Sequence, residues 1–173
     1  MNQSLIDQLL NWDGIHTDYL IQIYQQHQQL KSFFTNLVDI CLTRPDLQIP
    51  ASWLIKNHYD NKHSLDHALI NKLMKEGRVF EHWEARLHLL QILPKVKLDL
   101  EVVPYIEEWV RRGLKEENKF IRAWSYQGLY EVSKYIPELK EEVALLCEDA
   151  LQIENASVKA RVRKVVKQLR ENG

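Results

Sequence analysis

Glycine and proline are scarce in this chain, five of each in 173 residues. So few turn-formers suit long helices joined by short turns. Only two cysteines are present, Cys41 and Cys147, with no CxxC pair and no Cys/His cluster. They read as two small buried hydrophobes in a reducing compartment. No apolar run reaches the roughly 20 residues of a membrane helix, so no membrane partner is expected. The N-terminal MNQSLIDQLLNW has neither a basic n-region nor an apolar h-region, so no signal peptide is expected, and the expected location is cytoplasmic. The net charge is −1 and the pI about 6.7, which leaves no bulk field to favour nucleic acid or acidic lipid. There is no glycine-rich phosphate loop, no nucleophile elbow and no thiol beside a base, so neither catalysis nor a cofactor is expected.

What the chain does have is an internal repeat. The stretch KFIRAWSYQGLYEVSKYIP at 119–137 has weaker copies at 82–94 (HWEARLHLLQILP) and 157–169 (SVKARVRKVVKQL). Aligned on alanine, they place Ala85, Ala123 and Ala160 at spacings of 38 and 37 residues. A fourth copy, ASWLIKNHYD, begins at Ala51. A fixed period of this size marks stacked helical units, each burying a face against the next. At 100° per residue the central copy puts Ile121, Ser125, Gly128, Leu129 and Val132 on one side, and the last puts Val158, Val162, Val165, Val166 and Leu169 there. The last helix carries Arg161, Arg163, Lys164 and Lys167 on its far face, as a polar terminal cap should. Gly128 inside a helix costs about 0.5–1 kcal/mol against alanine, so a packing reason is expected for it.

Local signals supply the helix ends. Thr17, Ser64, Asn118 and Ser157 read as N-caps, Pro50, Pro104 and Pro137 as helix openers, and Gly77 as a stop. Five tryptophans, at 12, 53, 83, 109 and 124, read as core packing. No segment alternates at period two, so no sheet is expected. The fold class is therefore all-α, a right-handed α-α superhelix of about four antiparallel helix pairs plus a C-terminal capping helix. It is read as a single domain over 1–173, with atypical N-terminal helices at 1–48 and clear repeats at 49–173.

At these residues the chain resembles the HEAT-repeat family of α-solenoids, specifically its small bacterial HEAT-like members. The resemblance runs over roughly 50–170. It is carried by Ala51-Ser52-Trp53-Leu54-Ile55-Lys56, Trp83-Glu84-Ala85-Arg86-Leu87-His88-Leu89-Leu90-Gln91, Phe120-Ile121-Arg122-Ala123-Trp124 and Ser157-Val158-Lys159-Ala160-Arg161. It implies a scaffold or adaptor that binds a protein or peptide along one face, and no enzymatic activity.

Three candidate sites follow. On the repeat, the position before the alanine is Glu84, Arg122 and Lys159, and the position three after it is His88, Tyr126 and Arg163. With Trp124 these seven residues form a polar-aromatic stripe that could receive a peptide, since equivalent positions on stacked helices lie about 8–10 Å apart. The alternative is an inter-repeat ladder of ion pairs, with Arg122 taking a neighbouring carboxylate such as Glu84. The second candidate, NHYDNKHSLDH, gathers His58, Asp60, His63, Asp66 and His67. His63 and His67 are four apart, the spacing that sets two imidazoles on one helical face. But Ser64 reads as starting a helix between them and no third ligand stands at a fixed offset, so the cluster reads as a solvated turn. The third is the basic last helix. Residues 155–173 carry six basic residues against one acidic, net +5, whereas 100–154 carry 7 against 12, net −5. The helix could contact nucleic-acid phosphates, and the resemblance extends to HEAT-like proteins of the DNA-repair type, an alternative that the acidic body opposes.

Overall fold

A side-chain oxygen placed just before an apolar run starts several helices of this chain. In the computed structural model, which describes residues 3–171, Asn118 accepts hydrogen bonds from the backbone N–H groups of Phe120 and Ile121, and Asp66 from those of Ala68 and Leu69. Asn155 accepts from the backbone N–H of Val158 and from the Ser157 hydroxyl. Each satisfies amides that the first helical turn leaves without partners. Ten α-helices result among the described residues, and no strand. They are α1 (Gln3–Leu10), α2 (Thr17–His27), α3 (Lys31–Thr43), α4 (Gln48–Asp60), α5 (His67–Lys75), α6 (Trp83–Ile92), α7 (Val103–Gly113), α8 (Lys119–Ser133), α9 (Leu139–Ile153) and α10 (Ala156–Glu171). The all-α reading holds.

Several boundaries differ from expectation. Asp66 caps α5 in place of Ser64, and Asn155 caps α10 in place of Ser157, because a carboxylate or amide oxygen reaches the free N–H groups from those positions. Thr17 is already helical, preceded by His16, which makes no side-chain cap. Pro50 is the third residue of α4, where a missing N–H is still costless. Pro104 lies in the first turn of α7 as expected. Pro137 stands two residues before α9, in the turn. Gly77 follows the end of α5 and begins a single 3₁₀ turn, Gly77–Val79. All five tryptophans are half-buried, the usual fate of a side chain too large to be sealed completely.

The chain divides into two compact units between Leu89 and Leu90. In the first, α3 packs on α4 and α5, and α2 packs on α4. Leu20, Ile23, Leu37, Ile40, Leu54, Ile55 and Met74 are buried there, each contributing roughly 1.5–3 kcal/mol of apolar burial. The buried Gln48 amide acts as a staple. Its Nε2 donates to the Cys41 and Val79 carbonyls, each at 3.0 Å, and its Oε1 accepts from the Glu81 N–H at 2.9 Å.

In the second unit α8 is the hub, packed against α7, α9 and α10, and α10 also packs on α9. Every α8 residue from Ser125 to Ser133 is buried. The packing reason for Gly128 is visible: a methyl group there would meet Val110 Cγ2 at 3.1 Å and Leu90 Cδ2 at 3.3 Å. Gly113 permits a second close approach, since a methyl on it would collide with Ser125 Oγ. Ala51, Ala85 and Ala123 are buried, but Ala160 is exposed. α10 presses Val158, Val162 and Val165 into the unit and leaves its outer face open.

Candidate functional site

The second unit decides what becomes of the stripe. Arg122 projects from the first turn of α8 towards the end of α9. Its Nε and Nη2 donate to the two oxygens of Glu154 at 2.8 and 3.0 Å, and its Nη1 donates to the carbonyls of Glu116 and Glu117 at 2.7 and 2.8 Å. The carboxylate that takes Arg122 is thus Glu154, where the sequence had suggested one such as Glu84. This fork holds the Glu154 carboxyl below its ordinary range and raises the guanidinium. Trp124 lies half-buried under the Arg161 guanidinium, whose carbon stands 3.7 Å from the ring centroid. Burial, with loss of hydration, lowers the Arg161 pKa. Tyr126 is only 8% exposed. Lys159 turns its Nζ to the Gln152 carbonyl at 3.0 Å. A parallel fork ties α7 to α9, with Arg111 Nη1 and Nη2 donating to Glu142 at 2.6 and 2.8 Å.

In the first unit Glu84 is half-buried and His88 is 9% exposed. Ser52 Oγ and His88 Nδ1 stand 2.9 Å apart, and the Ser52 hydroxyl donates to the Ile49 carbonyl at 3.1 Å. Burial pushes the His88 pKa down to about 4, with Lys56 adding to the effect. The structure therefore brings Arg122, Trp124, Tyr126, Lys159 and Arg163 into one unit, and only Arg163 of those five is exposed. Arg122 is held in its ion pair with Glu154, Trp124 is half-buried and Tyr126 is buried.

The histidine-rich cluster is likewise divided among separate roles. His58 is buried, with Nδ1 2.8 Å from the Tyr24 hydroxyl and its ring against Phe34 and His63. Burial lowers its pKa. Asp60 pairs with Lys56, Asp66 caps α5 and His67 meets Asn71. Among the described residues no group of three or more His, Cys, Asp or Glu side chains is arranged to hold a metal ion.

What single-residue reading missed is a groove on α10. Leu151 and Val166, both half-buried, lie among Arg163, Lys167, Arg170 and Glu171 around a space of about 470 Å³. Arg163 and Arg170 have no ion-pair partner among the described residues, and Lys167 has a loose one, Glu171 at 3.6 Å. The positive charge of this helix was legible in the sequence. The apolar floor was not, because Leu151 comes from α9. Among the described residues no helix is long and apolar enough to cross a membrane. Comparison with protein-family models, with curated proteins and with solved structures gives no match to this chain.

Proposed function

We propose that this chain is a non-enzymatic, HEAT-like helical-repeat interaction module whose α10 face receives an acidic amphipathic segment of a protein partner. The α10 groove carries the reading: an apolar floor of Leu151 and Val166 bordered by three cations. Such a floor rewards a leucine or phenylalanine side chain. Arg163, Lys167 and Arg170 follow a helical row at steps of four and three, which matches carboxylates on one face of a docked helix. Arginine forks suit carboxylates in particular. Of the original stripe, Arg163 belongs to this site, and Arg122, Trp124 and Tyr126 hold the helices that present it.

Binding of a fluorescent acidic amphipathic helical peptide, followed by anisotropy, tests the reading. Charge reversal of Arg163 and Lys167 should weaken it by about tenfold or more, and Val166→Ser should weaken it also. Peptide binding unaffected by either change would overturn the site. The competing reading is nucleic acid on the same cations. It predicts binding that falls steeply with salt and ignores Val166→Ser. The apolar floor favours the peptide.

A further inference from the structure

Resting on the groove reading above, we propose that its occupant is α9 of a second copy of this chain. The outer face of α9 carries Leu145, 57% exposed, directly opposite the buried Val143, Cys147 and Ala150. Glu141 stands one turn before it, and Glu148 and Asp149 one turn after. All three are exposed and have no ion-pair partner among the described residues. This is a leucine ridge edged with carboxylates. The groove on α10 is its converse, an apolar floor edged with Arg163, Lys167 and Arg170, with the single carboxylate of Glu171 set loosely against Lys167.

The two surfaces match in length and in charge. Glu141 to Asp149 spans about 12 Å along α9 and Arg163 to Arg170 about 10 Å along α10, at 1.5 Å per residue. The ridge presents the three carboxylates of Glu141, Glu148 and Asp149 and the groove rim the three cations of Arg163, Lys167 and Arg170, so docking one on the other sets opposite charges together. α9 and α10 pack side by side in one unit, so each copy offers both a ridge and a groove. A two-fold arrangement then makes the ridge-to-groove contact twice and closes at the dimer.

Sedimentation velocity on the full chain tests this. Wild type should pass from monomer to dimer as concentration rises through the micromolar range, and salt should oppose the change. Glu141→Lys with Glu148→Lys reverses the ridge. Arg163→Glu with Lys167→Glu reverses the groove rim. Each pair of changes alone should weaken dimerisation about tenfold or more. Mixing the two variants should restore a one-to-one dimer, because both contacts then regain opposite charges. All positions are exposed, and unchanged thermal melting confirms intact folds. A wild type that stays monomeric throughout, or a mixture that stays monomeric, overturns the proposal. If wild type is monomeric yet the acidic peptide still binds at Val166 and Arg163, self-association falls and the groove reading stands. If neither occurs, both fall.

Discussion

Arg122 shows how one residue can look like a recognition element and serve the fold. Its fork closes on Glu154 and on two backbone carbonyls at once. The side chains are only 20% and 11% exposed, so water compensates little when the fork is lost. Arg122→Ala should therefore cost roughly 2–3 kcal/mol in urea unfolding, since the Glu154 carboxylate and the two carbonyls lose their donors. Arg122→Lys should recover less than half, because one ammonium cannot meet a bidentate carboxylate and two carbonyls together. A lysine variant as stable as wild type would show that charge alone suffices. The sequence made Arg122 conspicuous through its place beside Ala123. It did not reveal Glu154, which stands 32 residues later at the end of α9, where a projection of helical faces says nothing about the turns.

At the scale of the helix, the periodic positions were the most legible feature. Ile121, Ser125, Gly128, Leu129 and Val132 fall on one face by periodicity, and all are buried. The opposite side of α8 is buried too, through Gln127, Tyr130 and Glu131, positions that a projection of apolar residues does not mark. These polar groups enter the interior because they satisfy one another. Gln127 Nε2 donates to Glu131 Oε1 at 2.8 Å and to Gln168 Oε1 at 2.9 Å. The glycine on the legible face supports a sharp prediction. Gly128→Val drives methyl groups into Val110 and Leu90, which already stand within 3.3 Å of the position of a Cβ. It should lower stability by about 1–3 kcal/mol. Val110→Ala, itself destabilising, should make room, so the double variant should lose clearly less than the sum of the two. Additive losses would show that Val110 is not what confines the glycine.

For the whole molecule, the distribution of histidine sets the response to acid. All seven histidines lie within residues 1–89, so the second unit has none. Burial holds His88 neutral, at about 4 against an ordinary 6.5, and lowers His58 in the same direction. Between those two pH values the unfolded chain takes up the proton and the folded chain does not. Stability is therefore intact above the ordinary histidine value and is lost as pH falls through this window, by on the order of 3 kcal/mol for His88 alone. His16 has the opposite sign, because Asp13 raises it, but that pair is exposed and contributes little. In the second unit the shifted carboxyls are Glu142 and Glu154, both held below the ordinary 4.5 by their arginines. Their contribution persists until the pH falls below that value. At about pH 5 acid should thus loosen residues 1–89 and spare residues 90–173. Each unit carries one fully buried cysteine, Cys41 in the first and Cys147 in the second. Burial raises both thiols, Cys147 to about 12, so neither reacts readily while its unit is closed. With a disulfide reagent that remains active in acid, the rate of Cys41 labelling relative to Cys147 should rise on moving from neutral pH to about pH 5. His88→Gln, which cannot take up the proton, should flatten that rise. A ratio that stays constant, or a Cys147 that opens first, would mean that buried histidine does not govern the acid response.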